Sequence, residues 1–477
     1  MMSEKIVILD GTRYEDQHLN VVLTLLINVI RRYYGDRIQI FKLREITINP
    51  CIGCFNCWIK TPGTCFHQDA VADILRAILS SHTVIFFTPV IFGGYSSELK
   101  KIIDRWLLIT LPFLEKTFGE FHHPRRYTSF PHIVGIGTHL ATNKKVTQCF
   151  KTLVGRNAIN AHTTYRANVI CPSDSQQKIQ QQLVDLLQGT DKLPRFEELN
   201  KLMIENKPFS QKNKNIKPKA LLIVGSQKTK APSTSAVLGG CLLEKLKLFG
   251  MQTEHYSLKA HVLHSQKEQR TLCQAVDQAG VVIFSFPIYA DSPPFLATSA
   301  LEIIAHHKKH GEINKRSTLF TGISNSGLPE SSQNIVALSI CRNFALECGM
   351  IWAGGLIFGS GEMLISGNPL TGFRAFKGAK RPPLFYVAHA LEIAASSLVQ
   401  GSPIPEQAVQ MLAKKPLPLF SVHFWHWFLM RKANRILIKE AKKNGITKEA
   451  MYSTPYESSP HKEEINAKNL ERDQSGF

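Results

Sequence analysis

Short β-branched runs alternate along this chain with longer stretches whose apolar residues recur at helical spacing. Lys5 to Asp10 is one such run; it ends at Gly11-Thr12, and Leu19 to Tyr34 then has the apolar period of a helix. Val84 to Thr88 predicts a buried strand, Pro89 to Tyr95 a Gly/Pro loop, Ser97 to Leu108 a helix and Ile133 to Gly137 a further strand. This alternation predicts a parallel sheet with helices on both faces. The pattern then restarts. Ala220 to Val224 ends at Gly225-Ser226, Ser233 to Phe249 is helical, and Val281 to Phe286 runs into Pro287-Ile288-Tyr289. TVIFFTPVI from Thr83 matches VVIFSFPIY from Val281, and VILDGT from Val7 matches LLIVGS from Leu221, which marks an internal repeat.

The spacing within the repeat is unequal. Gly11 and Pro89 stand 78 positions apart, Gly225 and Pro287 only 62, and the 16-residue difference equals the length of Pro50 to Cys65. That segment holds four cysteines and has no counterpart in the second half. Residues 1–205 and 219–405 are therefore expected to be two doubly wound α/β domains. Residues 206–218, polar, basic and proline-bounded, are expected to link them. Residues 406–477 are read as a basic helical segment with an aromatic cluster (Phe420, Phe424, Trp425, Trp427, Phe428), followed by a disordered tail of about thirty residues.

Composition changes this picture little. At 477 residues, 44% hydrophobic and 20% charged, the chain has material for more than one core. The excess of Lys and Arg over Asp and Glu, 57 against 37, gives +20 and points to an anionic partner without choosing among nucleotide, nucleic acid and lipid. The N-terminus MMSEKIVILDG lacks the pattern of a signal peptide, and Pro416 to Met430 is too short and His-broken to span a bilayer. Ten cysteines, four of them within fifteen residues, suit a reducing compartment, so a cytoplasmic protein is expected.

Candidate chemistry sits in the loops after the strands, where doubly wound sheets bind ligands. Gly225, Ser226 and Lys228, followed by Ser233, Thr234 and Ser235 at a helix start, supply hydroxyls, a cation and free N–H groups for a phosphate, although the same residues also make an ordinary capped helix. The first-half equivalent has Gly11, Thr12 and Arg13 but also Glu15 and Asp16, which repel phosphate. Cys51, Cys54, Cys57 and Cys65 follow C-x2-C-x2-C-x7-C. The spacing suits an iron–sulfur cluster and, equally, a set of redox thiols without metal; zinc, which takes two separated pairs, fits less well. There is no G-x-S-x-G elbow and no H-E-x-x-H motif for hydrolysis.

PCIGCFNCW, the GTC ending at Cys65 and FFTPVIFGGYSSELKKIIDRW resemble the NAD(P)H-dependent FMN reductase family of flavodoxin-like proteins, and within it the iron–sulfur flavoproteins. The resemblance runs over about residues 4–170 and, through VGSQK, STS and FPIY, more weakly over 219–360. It implies two flavodoxin-like domains in tandem and FMN held non-covalently, with NAD(P)H as co-substrate and a [4Fe–4S] cluster as the further cofactor of the cysteine loop. By that resemblance Gly11, Thr12, Arg13 and Asn20 would serve phosphate in the first half, with Pro89, Val90, Ile91, Phe92, Gly93 and Gly94 around the flavin. Gly225, Ser226, Lys228, Ser233, Thr234, Ser235, Pro287, Ile288 and Tyr289 would do so in the second. The activity expected is electron transfer from NAD(P)H through flavin to a small-molecule or protein acceptor. The alternative is a non-enzymatic electron carrier or a flavin-free assembly protein that keeps the fold. Nucleic acid is not an expected partner; peripheral membrane contact by the C-terminal segment and a homo-oligomer are further expectations.

Overall fold

β1 (Ile6–Asp10) is buried along its whole length, as a central strand covered on both faces must be, and pairs in parallel with β2 (Ile38–Lys42) and β3 (Thr83–Pro89). In the computed structural model, which describes residues 5–117, 119–140, 143–193, 216–228, 232–260, 263, 265–310, 318–365, 368, 370, 384–414 and 422–457, the chain divides into two units. The first comprises Met1–Val90, Gly94–Arg195 and Phe420–Phe477, and the second Ile91–Gly93 and Phe196–Leu419. The side chains of residues 422–430, and with them Phe424, Trp425, Trp427 and Phe428, lie outside the described residues, as do Phe420, most of the 206–218 segment and residues 458–477.

A short antiparallel pair, β4 (Glu115–Thr117) and β5 (Glu120–His122), stands apart from the main sheet of the first unit. β6 (His132–Thr138) and β7 (Tyr165–Ile170) complete that sheet in the order β2-β1-β3-β6-β7, all parallel. The second unit repeats it with β8 (Lys219–Val224), β9 (Gln252–Ser257), β10 (Val281–Pro287), β11 (Leu319–Asn325) and β12 (Ile351–Phe358), in the order β9-β8-β10-β11-β12. This is the flavodoxin-type doubly wound order, found twice.

The helices form where the apolar period is 3.6. α1 (Asn20–Tyr34) buries Val22, Leu23, Leu25, Leu26, Val29 and Ile30 against β1 and β3, and stops at Gly35, whose φ of 81° suits only glycine well. Its neighbours in the first unit are α2 (Asn56–Ile59), α3 (Val71–Leu79), α4 (Ser97–Ile103), α5 (Lys144–Asn160) and α6 (Gln176–Gln188). In the second unit, α7 (Thr234–Leu248) is capped by Ser233, whose hydroxyl accepts from Ala236 N, and packs Leu238, Leu242 and Leu246 on the sheet. α8 (Gln266–Gln278), α9 (Phe295–His310), α10 (Ile335–Glu347), α11 (Gly361–Leu364), α12 (Phe385–Val399) and α13 (Glu406–Ala413) follow.

The C-terminal segment differs from the sequence expectation. α13 belongs to the second unit, whereas α14 (Val422–Lys443) and residues up to 457 belong to the first. The stretch read as the start of a disordered tail is ordered to Glu457 and contains a 3-10 turn, Glu449–Tyr452. Met451 (0% exposed) and Tyr452 join Ala441, Leu111 and Phe113 in one apolar cluster, with Ile59, Ile438 and Ile446 packed against it. Burying a side chain the size of methionine contributes about 1.5–3 kcal/mol, so a few large side chains suffice to dock an otherwise polar segment. Among the described residues no helix is long and apolar enough to cross a membrane.

Candidate functional site

The two strand-end turns have similar sequences and different chemistry. In the first unit Asp10, fully buried at the end of β1, accepts from Thr12 N (3.0 Å) and Thr12 Oγ1 (2.6 Å). The Arg44 guanidinium, just beyond β2, donates to the second Asp10 oxygen at 2.9 Å and also reaches Thr12 Oγ1. Arg13 is tied to Asp16 through its Nε (2.8 Å) and Nη2 (3.0 Å), and to Glu15 at 3.2 Å. Gly11 packs so closely that a Cβ there would stand 2.8 Å from that of Leu99. Asn20 is exposed at the start of α1. Of the donors assigned to a phosphate, Thr12 and Arg13 are thus already engaged with carboxylates, and Asn20 stands exposed on the helix beyond them.

In the second unit the residue matching Asp10 is Val224, and the turn after it has no buried acid. Two polar side chains more than nine-tenths buried, Gln227 at its Nε2 and Thr234 at its Oγ1, have no hydrogen-bond partner among the described residues. Thr234 is the first residue of the 15-residue helix α7, whose N-terminal N–H groups and dipole favour an anion. Ser235 is held from behind, because Asn325 Nδ2 donates to its hydroxyl at 2.7 Å and Ser285 Oγ donates to its carbonyl at 2.7 Å. Lys228 Nζ sits on Glu362 at 2.6 Å, at the partly exposed rim. Gly361 lies opposite, where a Cβ would approach Thr234 Cγ2 to 2.8 Å.

The proline-led loops also differ. Val90, Phe92, Gly93 and Gly94 are buried, with Ile91 half-buried, and Val90 N donates to Thr138 O at 2.9 Å. Pro287, Ile288, Tyr289 and Ala290 are half-exposed, and Ala290 and Asp291 hold left-handed backbone (φ 47° and 62°) that turns the loop outward from the strand end.

The four-cysteine segment lies in the connection between β2 and α3. Its two ends are stapled by Arg105, which donates to Asn49 O (2.8 Å) and to the Asp69 carboxylate (3.0 Å), while Asp69 accepts from Asn49 N (2.9 Å). Left-handed backbone at Gly53 (φ 64°), Phe55 (φ 57°) and Gly63 (φ 80°) coils the loop, and Trp58 anchors α2 by donating to Leu107 O at 2.9 Å. All four cysteines are free thiols; Cys54 is exposed and the other three are half-buried. Cys57 feels the charges of Cys51, Cys65 and Cys54, so the four sulfurs are electrostatic neighbours. Burial pushes Cys51 and Cys57 up to about 12, against the opposing pull of the Gly53 N–H and Arg105 on Cys51 and of Arg126 on Cys57. Both are neutral until a cation compensates them.

Among the described residues no group of three or more His, Cys, Asp or Glu side chains converges as a single metal ion requires. A lone ion with bonds of about 2.3 Å needs its sulfurs drawn to one point, whereas a four-iron cluster spreads its thiolates over a wider shell. The donor set, four free thiols in one coiled loop with Cys57 near enough to the other three to feel their charges, is of the kind an iron–sulfur cluster takes.

What backs this loop has no local signature in the chain. Arg126 is 0% exposed; its guanidinium donates to Met451 O (2.9 Å), Ser453 O (2.8 Å) and Thr110 O (3.1 Å), and burial pulls it down to about 10. Ser453 Oγ donates to Pro62 O at 2.7 Å, and Arg76 stacks over Tyr456 at 5.5 Å. His123 rests on Trp58 with ring centroids 4.6 Å apart, its Nδ1 at 2.9 Å from Phe113 O, and burial pulls it down to about 4.

With this geometry in place, comparison with known proteins gives a consistent pattern. The profile of the NADPH-dependent FMN reductase family matches residues 5–118, which span the first turn, the cysteine loop and the first proline-led loop. An iron–sulfur flavoprotein of Methanocaldococcus jannaschii is 31% identical over 101 residues, 21% of this chain and 51% of that protein. One of Clostridioides difficile is 33% identical over 102 residues, 21% of this chain and 44% of that protein. The chain thus spans about half the length of the curated relatives it matches. The solved Trp repressor binding protein of Bacillus subtilis aligns at 14% identity and a TM-score of 0.26, covering 37% of this chain and 98% of that one.

Proposed function

We propose that this chain is a flavin-dependent oxidoreductase that takes electrons from NAD(P)H, holds FMN at the second unit's strand-end turn and passes electrons on by way of the first unit's four-cysteine loop. The observation that carries the reading is the pair of buried, partnerless donors, Gln227 Nε2 and Thr234 Oγ1, at the N-terminus of α7. Unmade hydrogen bonds of buried groups are costly, and an FMN phosphate supplies acceptors for both as well as for the helix N–H groups. Residues 225–235 would hold the phosphate, with Ser235 fixed by Asn325 so that the helix start keeps its shape. Pro287 to Tyr289 would border the flat ring with backbone and one phenol. Lys228, bound to Glu362, would carry its charge to the rim and draw the phosphate in.

When bound, FMN accepts hydride from NAD(P)H and a [4Fe–4S] cluster relays single electrons; the protein's part is to hold and orient them. Cys51, Cys54, Cys57 and Cys65 would ligate the cluster. For the first unit's own turn the geometry favours a flavin-free role, because Asp10 and Asp16 occupy the positions from which a phosphate would be bound.

The test is anaerobic purification followed by flavin and iron assay. Roughly one FMN and about four irons per chain are expected, with FMN lost in Thr234→Val and kept in Arg13→Ala. A chain that carries no flavin, or that keeps it fully in Thr234→Val and loses it in Arg13→Ala, overturns the reading.

A further inference from the structure

We propose that Arg126 and the C-terminal segment Glu449–Glu457 form the closed back wall of the four-cysteine site, and that Arg126 is the fixed counter-charge of an anionic iron–sulfur group held there. The proposal rests on the reading of the cysteine loop as the holder of a redox group, and adds the residues that complete it.

Charge accounting makes the case. The other fully buried cations of this region each have a carboxylate: Lys100 with Asp104 at 2.7 Å, Arg105 with Asp69 at 3.0 Å, and Arg156 with Glu120 at 2.6 Å. Among the described residues Arg126 has none. Its hydrogen bonds go to three backbone carbonyls, and its Nε, like that of Arg105, has no partner among the described residues. A buried cation served only by neutral dipoles is a costly arrangement unless an anion completes it. The groups that face Arg126 are Cys57 and the phenols of Tyr127 and Tyr456, and of these only the cysteine belongs to a set of four thiols able to bind metal. A cluster with four thiolate ligands is a net anion in its common oxidation states and becomes more negative on reduction, so a cation at this place favours both loading and reduction.

The wall is built by chain that arrives from far along the sequence. Arg126 bonds Met451 O and Ser453 O, Ser453 Oγ bonds Pro62 O inside the cysteine loop, and Glu457 Oε1 accepts from Thr128. Pro455 lies against Gly63, where a Cβ would stand 2.6 Å from its Cδ. The Tyr456 side chain is close enough to Cys57 and Cys65 to feel their charges. Of the four cysteines only Cys54 is exposed.

Two measurements on the full chain test the proposal. On the metal-free, reduced protein, iodoacetamide labelling of each cysteine is followed by peptide mass spectrometry, with half-buried Cys241 of the second unit as internal reference. In the wild type Cys54 labels fast and Cys57 and Cys65 slowly. The double variant Ser453→Ala/Pro455→Ala speeds Cys57 and Cys65 by about an order of magnitude or more and leaves Cys241 unchanged, as expected when a local cover opens. On the iron-loaded protein, Arg126→Gln, which keeps donors for the carbonyls but removes the charge, lowers the cluster's reduction midpoint and its iron content. Arg126→Lys restores both. Unchanged labelling in the double variant overturns the wall, and an unmoved midpoint in Arg126→Gln overturns the counter-charge. A wild-type chain that takes up flavin but no iron also removes the counter-charge while leaving flavin binding standing. Should Arg126→Gln fail to fold, Tyr127→Glu, which sets a carboxylate beside Arg126 and neutralises it in place, carries the test: the midpoint falls as in Arg126→Gln, and an unmoved midpoint overturns the counter-charge.

Discussion

Asp10 and Val224 occupy the same place in two copies of one pattern, the last strand position before the glycine turn, and they set those turns to opposite uses. Asp10 draws Thr12 and Arg44 onto itself, so its turn is internally satisfied. Val224 offers no side-chain acceptor, and the buried donors beyond it, Gln227 and Thr234, have no partner among the described residues. A strand-end residue thus sets whether the donors of a repeated loop are taken up within it or left open, which is what the proposed phosphate site needs. The lesson is that a phosphate site depends as much on which acceptors are absent as on which donors are present.

The contrast breaks most severely in Val224→Asp. The position is 3% exposed, so the new carboxylate is buried without a cation; a loss of about 3–5 kcal/mol in denaturant unfolding is expected, together with complete loss of bound flavin. The reciprocal change, Asp10→Val, strands Arg44 and frees Thr12. It costs about 2–4 kcal/mol by the same measurement and leaves flavin content untouched, since the first turn still has Asp16 against Arg13. Thr234→Val is milder for stability, because its hydroxyl has no partner to lose, but it weakens FMN by about ten- to a hundred-fold in a fluorescence titration, the range for one hydrogen bond to a charged group.

A pH dependence adds a further handle on the first unit. His123 in the first unit has its folded pKa depressed to about 4 by burial, against 6.5 in the unfolded chain. The unfolded state therefore binds more protons between these values. The stability that comes from keeping this ring neutral is fully present above pH 6.5 and is lost as pH falls toward 4. Unfolding of the first unit, followed by hydrogen exchange at the strands of each unit, becomes easier over that window, and His123→Gln flattens the dependence. A first unit whose stability is flat from pH 7 to 4 in the wild type would sink this account.

Much of the fold was legible because buried parallel strands and amphipathic helices write their periods directly into the chain. The restart after residue 219, the strand-end turns and the insertion of the cysteine loop in one half all have local signatures of that kind. Glu15 and Asp16 were visible as obstacles to phosphate; Asp10 was not, because its role depends on Arg44, delivered by the neighbouring strand 34 residues on. Arg126 was hidden for the same reason on a larger scale, since two of its three hydrogen-bond partners lie 325 and 327 residues away. The C-terminal segment read as a tail because its average is polar. What docks it is a handful of side chains, Met451, Tyr452 and Tyr456, whose apolar area no periodicity announces.

The contact between Ser453 and Pro62 joins residues 391 positions apart. A ribosome adding 5–20 residues per second needs roughly 20–80 s to cover that distance. Throughout that interval the nascent cysteine loop has no back wall, so its thiols are open to whatever delivers metal, and equally to oxidants. In the reading proposed above, residues 449–457 then close the site, so the order in which the chain is made sets loading of the redox group early and sealing late.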